Sequence, residues 1–291
     1  MTTTTTTMNK TVVVVARHGE RMDYSMKDAG ENWLATAAEP WNPPLTEIGK
    51  KQGKALGQHI QQLLSEKGLP PFGHVYSSPL RRCRETAAAA IQGLEEENKA
   101  DGAEPDGRKV RVEPGLIESI NESWYRSWSL PTSDGTWGFR ERDPNTNQPI
   151  QQVNEGTLRR EATQPIQDFL LRWKSPQAND AKLRTAMDDE YEPQSDITHP
   201  YAWGSWESRM DLQERMEKVI SGVAEPGKTT LLVSHGGPVT FLFSHLTKKS
   251  WKEHGVSTYA CFSIYEQDTT DPSKWNTVVV NENRHTEGLE N

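Results

Sequence analysis

Four successive valines, Val12 to Val15, run directly into the polar cluster Arg17-His18-Gly19-Glu20-Arg21. An unbroken apolar run bounded by charge is the pattern of a strand covered on both faces, so Thr11 to Ala16 is predicted as a buried strand ending at a functional loop. After a proline-rich loop, Leu45 to Lys67 carries Ile48, Leu56, Ile60, Leu63 and Leu64 at helical spacing, with Thr46 placed as N-cap and Gly68 as stop. His74 to Tyr76 reads as a short strand, Leu80 to Asn98 as an alanine-rich helix and Lys109 to Glu113 as a third strand. Strands that alternate with helices in this way predict a parallel sheet.

Between Asn121 and Pro200 the alternation lapses, and the clearest helical stretch there is Leu158 to Lys174. The pattern resumes with a helix over Trp206 to Gly222, an apolar strand over Thr229 to Ser234, a helix over Pro238 to Leu246, and late strands at Tyr259 to Tyr265 and Thr277 to Val280. The predicted architecture is therefore an α/β fold, a three-layer α/β/α sandwich with a mostly parallel central sheet. One domain spans residues 11–285 and holds an inserted cap at about 119–205, with a leader at 1–10 and a tail at 286–291. The threonine run in the leader is low-complexity and cannot bury a core. No repeat with the period of a solenoid is visible.

Composition narrows the partners. The 291 residues hold 33 Lys+Arg against 41 Asp+Glu, a formal charge of -8. That balance disfavours nonspecific attachment to nucleic acid or to acidic membranes, both of which require basic surface. Mean hydropathy is -0.81, so surface loops should be extensive. No apolar run is long enough to cross a bilayer and no secretory signal is present, which makes the cytoplasm the expected location. Cys83 and Cys261, the two cysteines, supply neither a disulfide framework nor zinc-ligand spacing. No exposed apolar helix face marks a subunit interface, and the oligomeric state stays open.

The candidate chemistry lies at strand ends. In open α/β sheets ligands bind outside the C-terminal ends of the strands, where the Arg17 to Arg21 cluster falls. Two arginines flanking an imidazole supply forked donors for phosphate oxygens while a ring nitrogen attacks phosphorus. Taken alone, such a pair is more often a charged surface loop. Two further segments change that balance: Ser77-Ser78-Pro79-Leu80-Arg81-Arg82-Cys83-Arg84-Glu85-Thr86-Ala87 follows the second strand, and Ser234-His235-Gly236-Gly237 ends a later one. Parallel strands would bring Arg82 and His235 to the rim that holds Arg17, His18 and Arg21.

Other signals are set aside. Residues 222–229 match the P-loop spacing, but a helix precedes them and a strand follows, the reverse of a P-loop's context. A cysteine phosphatase needs an arginine six positions after its nucleophile, whereas Cys83 is followed there by Ala89 and Cys261 by Gln267. The remaining histidines show no metal-ligand spacing, so no metal or other cofactor is expected. Trp124, Trp128 and Trp137 in the insert read first as a small core for the cap and second as an aromatic substrate wall, with Trp124, Tyr125 or Arg126 against the leaving group.

The ordered set RHGE, PPLTEIGKKQG, SSPLRRCRETA, VEPGLIE, SWESRMDLQERM and VSHGG resembles the histidine phosphatase (phosphoglycerate mutase-like) superfamily. Within it, RHGERMD and VRVEPGL look most similar to the phosphatase domain of the suppressors of T-cell receptor signalling. The resemblance implies a metal-independent phosphomonoesterase with His18 as nucleophile, Arg17, Arg21 and Arg82 clamping the phosphoryl group, and His235 stabilising it in transfer. By the same resemblance Arg82 is preferred to Arg81, because the family's arginine stands four residues before its Thr-Ala pair as Arg82 does, and Glu118 is preferred to Glu113 as general acid, because the family's acid follows the strand in a loop and Glu113 should still lie within the strand. The implied partner is a phosphorylated small molecule or a phosphotyrosine protein. Two rivals stand beside this reading: a phosphoglycerate mutase-type phosphotransferase, disfavoured because Arg21 occupies the serine position of the mutase motif, and a catalytically weak phospho-ligand binder.

Overall fold

A computed structural model of the chain describes residues 10–100, 107–119, 145–146, 181–195 and 207–289. Strand β1, Val12–Arg17, has its four valines and Ala16 fully buried. They alternate between two separate cores. Val12, Val14 and Ala16 join Leu56, Ile60 and Leu94, whereas Val13 and Val15 join Leu212, Met216, Val219 and Leu242. Successive side chains of a strand point to opposite faces, so an all-apolar run needs cover on both.

The cover comes from two pairs of helices. Helices α1 (Met22–Asp28) and α2 (Trp33–Thr36) occupy the stretch expected to be loop, and α3 (Glu47–Glu66) follows. Thr46 caps α3 by accepting from Gly49 N at 3.0 Å, and Gly68, at φ 58°, takes the left-handed conformation that stops it. Strand β2 (Phe72–Ser77), helix α4 (Arg81–Ala100) and strand β3 (Val110–Val112) come next. Among the described residues there then follow α5 (Ala181–Arg184), α6 (Arg209–Val223), β4 (Thr229–Ser234), α7 (Gly236–Thr247), β5 (Phe262–Gln267) and β6 (Trp275–Glu282). α3 and α4 cover one face of the sheet, α6 and α7 the other. The expected helix at Leu158 to Lys174 lies outside the described residues.

The sheet has six strands in the order β3-β2-β4-β1-β5-β6. β1 to β4 are mutually parallel, with Arg17 level with Ser234, Ser77 with Val233, and Val112 with Ser77. This register brings the C-terminal ends of all four strands to one rim. β5 runs antiparallel to β1 with Phe262 opposite Ala16, so the turn leading into β5 meets the same rim. β5 begins three residues later than its sequence pattern suggested, after Ala260 at φ 55°.

Residues 181–195, assigned to the insert from sequence, lie along the edge strand β3. Val110 donates to Ala186 O at 2.9 Å and accepts from Asp188 N at 2.8 Å. Pairing of this kind closes an edge that would otherwise template association. Residues 222–229 form the turn from α6 into β4, with Lys228 N donating to Glu225 O at 3.1 Å. No helix among the described residues is long and apolar enough to cross a membrane.

The α3 and α4 pair packs backbone against backbone, because a Cβ on Gly57 would collide with the Ala90 carbonyl. Gly57→Ala must therefore part the two helices, an overpacking cost of about 1–3 kcal/mol. The urea midpoint should fall with an unchanged slope, and a midpoint equal to wild type would show that the contact imposes no constraint.

Candidate active site

His18 is the first residue beyond β1, and its backbone is held from both sides. Its N–H donates to Ser234 O at 3.0 Å, and its carbonyl accepts from Ala260 N at 3.1 Å. Gly19 N donates to Thr86 Oγ1 at 3.0 Å, and that hydroxyl donates to Arg82 O at 2.7 Å, which ties the loop to α4. A side chain at Gly19 has no room, since its Cβ would stand 2.5 Å from Gly49 O in the first turn of α3.

The imidazole is 2% exposed, with Nδ1 2.7 Å from Gly19 O. A carbonyl only accepts, so Nδ1 carries the hydrogen and Nε2 keeps its lone pair. Burial, and after it the charges of Arg82, Arg17 and Arg21, hold the ring well below the usual histidine range and therefore neutral.

Each arginine is fixed by a different device. Arg17 donates from Nη1 to Ser257 O at 2.5 Å and stacks its guanidinium 4.5 Å above the Tyr259 ring. Arg21 forks onto Asp23 at 2.9 and 2.5 Å and stacks 4.3 Å from the Tyr24 ring. Despite its burial, the Asp23 carboxylate holds Arg21 above its ordinary value. Arg82 is fully buried, donating to Trp41 O and to His235 Nδ1, both at 3.2 Å. Burial and the neighbouring Arg21 push its pKa down to about 10. Nε of Arg17 and Nε of Arg82 are buried with no hydrogen-bond partner among the described residues.

His235, the N-cap residue of α7, is fully buried with its ring centroid 5.3 Å from that of His18. A guanidinium only donates, so Nδ1 of His235 accepts from Arg82 and its Nε2–H donates to Ser78 Oγ at 2.8 Å. Burial, Arg82 and His18 keep this ring neutral as well. Cys83 touches the same ring, its Sγ 3.4 Å from Nε2, but burial pushes the thiol up to about 12, so no thiolate forms there at neutral pH.

Two carboxylates compete for the acid role. Glu113 sits just past the end of β3 rather than inside it, and its oxygens accept from Gly115 N, Tyr191 Oη, Gln194 N and Ser195 N. Those bonds bind it as a clip for residues 191–195. Glu118 accepts from Ser119 N at 2.8 Å, and burial raises its pKa against the pull of Arg82, Arg17 and Arg21. Arg81, the rival of Arg82, instead pairs with Glu85 at 2.8 Å on the helix surface.

The rim thus gathers Arg17, His18, Arg21, Arg82, Glu118 and His235. Among the described residues no group of three or more His, Cys, Asp or Glu is arranged to hold a metal ion. The chain matches the histidine phosphatase superfamily (branch 1) over residues 13–127 and 172–283, well over half its length.

The chain belongs to that superfamily. Its curated relatives include ecdysteroid-phosphate phosphatase of Drosophila melanogaster, 28% identical over 137 residues, which are 40% of this chain and 16% of the relative. Human ubiquitin-associated and SH3 domain-containing protein B is 29% identical over 148 residues, 42% of this chain and 20% of that one. The matched stretches thus span a fifth or less of the relatives' own length. Among solved structures, the ecdysone phosphate phosphatase from Bombix mori, in complex with tungstate, superposes with a TM-score of 0.53 at 17% identity, covering 92% of this chain and 91% of that one. At that identity the likeness speaks for the phosphoglycerate mutase-like fold.

Several residues that shape this histidine phosphatase site escaped the sequence reading. Asp23 stands two positions from the arginine it clamps, a spacing visible in RHGERMD. Tyr24 follows it. Tyr259 left no local signal, because it reaches the rim only through the antiparallel return of β5. Trp124, Tyr125 and Arg126 lie outside the described residues.

Neutral buried histidines make stability depend on pH. Where the folded pKa is depressed, the unfolded chain binds more protons below about pH 6.5, and stability complete above that pH is lost as pH falls toward the folded value. Glu118, raised, works oppositely, its contribution being present below about pH 4.5 and lost as pH rises. Two lowered histidines, His18 and His235, act against this one raised carboxyl. His235→Asn should therefore flatten the fall in unfolding free energy by up to about 1.4 kcal/mol per pH unit between about pH 6.5 and 5. Urea titrations across that range check this, and equal slopes in the two proteins would mean that His235 takes up its proton in the fold as readily as in the unfolded chain.

Proposed function

We propose that the chain is a metal-independent phosphomonoesterase acting through a phosphohistidine on His18. The observation that carries the reading is the free Nε2 lone pair of a neutral, buried His18 set among three guanidiniums. In phosphoryl transfer the protein contributes mainly position and charge stabilisation, which Arg17, Arg21 and Arg82 supply.

In the first step Nε2 attacks phosphorus, the bond from phosphorus to the ester oxygen breaks, and the departing oxygen takes its proton from Glu118. Burial of Glu118 keeps that proton available at higher pH than an ordinary glutamic acid would. In the second step the Glu118 carboxylate takes a proton from water, the hydroxyl oxygen attacks phosphorus, and the bond to Nε2 breaks to release inorganic phosphate. His235 holds Arg82 in the resting site and shifts its Nε2–H from Ser78 to a phosphoryl oxygen as the group passes over. Substrates are phosphorylated small molecules or phosphotyrosine proteins, and the similarity to ecdysteroid-phosphate phosphatase of Drosophila melanogaster supports the small-molecule class. The two free, buried thiols suit a reducing cytoplasm.

Steady release of nitrophenol from p-nitrophenyl phosphate in EDTA, with a drop of at least about a thousandfold in His18→Ala, is the expected result. Quenching in alkali should trap one phosphoryl group on the wild type, seen by mass spectrometry, and none on the variant. Turnover that survives in His18→Ala would overturn the assignment. Fast interconversion of phosphoglycerate isomers would favour a phosphotransferase, and binding of phosphate without turnover would favour a phospho-ligand binder.

A further inference from the structure

Glu118 lies on an irregular segment, and its own backbone belongs to neither helix nor strand. A proton donor on such a segment is useful only if the segment is held. Three consecutive carbonyls just before it are each captured. Arg215 of α6 donates from Nη1 to Gly115 O and to Ile117 O, the latter at 3.0 Å, and Ser234 Oγ donates to Leu116 O at 2.6 Å. Arg215 is itself fixed by a forked pair with Glu207 at 2.8 and 2.9 Å, and both residues are buried at 8% exposure. On the far side, a Cβ on Gly237 would stand 2.9 Å from Glu118 Oε1, so the carboxyl rests against the first turn of α7. The acid is held between these grips.

We propose that Arg215, locked by Glu207, is a positioning residue for the general acid, setting the 115–118 segment so that the Glu118 carboxyl meets the leaving oxygen. This rests on the reading of Glu118 as that acid. A planar fork explains the residue type: one nitrogen spans two carbonyls while the others meet a carboxylate edge-on, a geometry that the single ammonium of lysine cannot reproduce. A purely structural Arg215 would weaken the fold without regard to which substrate is turned over. A positioning Arg215 acts on one step, because a poor leaving group needs the proton and a good one does not.

The test compares p-nitrophenyl phosphate, which leaves without much protonation, with glycerol 2-phosphate, which leaves as an alkoxide unless protonated. Arg215→Lys keeps a cation beside Glu207, and the double change Arg215→Met with Glu207→Gln removes the pair without leaving a buried charge, so the two variants carry different folding costs and the test is read on whichever unfolds at the wild-type urea midpoint or near it. The expected result is a loss of about tenfold to a hundredfold in kcat/KM on the alkyl ester and under about threefold on the aryl ester. Glu118→Gln should show the same split, larger, and adding Arg215→Lys to it should cost little more on the alkyl ester. If Glu118→Gln splits the substrates and the Arg215 variants lower both esters equally, the positioning role is wrong and the acid assignment stands. If Glu118→Gln itself shows no split, the acid assignment falls and the proposal with it.

Discussion

Removing guanidinium groups from water costs roughly several kcal/mol each, and this fold does so at one rim where, among the described residues, a single carboxylate, Asp23, is paired to any of Arg17, Arg21 and Arg82 by a forked bond. Arg82 is fully buried, and both Arg82 and Arg17 keep a buried Nε unpaired among the described residues. Such a cluster persists only where the surroundings over-determine it. Here they do: aromatic faces lie under Arg17 and Arg21, the Trp41 carbonyl and the His235 ring take two donors of Arg82, and the sheet register holds the strand ends level. The rest of the site follows from this concentrated charge and from the burial that accompanies it.

One consequence is the coexistence of two protonation states that free side chains do not share. An unperturbed histidine is neutral only above about pH 6.5 and an unperturbed glutamic acid is protonated only below about pH 4.3, so no pH offers both forms in quantity. Burial and the arginines lower His18, and burial raises Glu118. The arginines alone would have pulled Glu118 the other way, so desolvation decides its direction. The two shifts run toward each other, which favours a neutral His18 facing a protonated Glu118, the pair that the proposed reaction needs. The same burial acts on Cys83 with the opposite functional result, keeping a thiol beside His235 inert.

Much of this was legible in the sequence because it rests on local patterns. Four valines ahead of a charged cluster announce a doubly covered strand with a loop at its end, and the helical spacing from Leu56 to Leu64, capped by Thr46, announces α3. The order of strands and helices implies a rim that gathers Arg17, His18, Arg82 and His235. What stayed hidden depends on contacts between distant segments. Helices α1 and α2 are short and carry no strong apolar period, so a proline-rich stretch masked them. Glu113 looked like a strand residue, and its bonds to residues 191–195 could not be inferred from its neighbours. Tyr259 comes to Arg17 only because β5 reverses direction, a choice that the apolar run Phe262 to Tyr265 does not reveal.

The two helical layers also divide the work. The face built from α3 and α4 secures His18, the proposed nucleophile: Gly49 presses on Gly19, Thr86 takes the Gly19 amide, and Arg82 enters from the first turn of α4. The face built from α6 and α7 secures Glu118, the proposed acid: Arg215 grips the carbonyls before it, and Gly237 backs its carboxyl. His235 and Ser234, at the end of the central strand β4, join the halves, one through Arg82 and the other through Leu116 O. Because the valines of β1 feed both cores alternately, a shift of that strand by one residue would reverse every side chain and disturb both grips together. The strand that looks least chemical in the sequence is what keeps His18 and Glu118 in register.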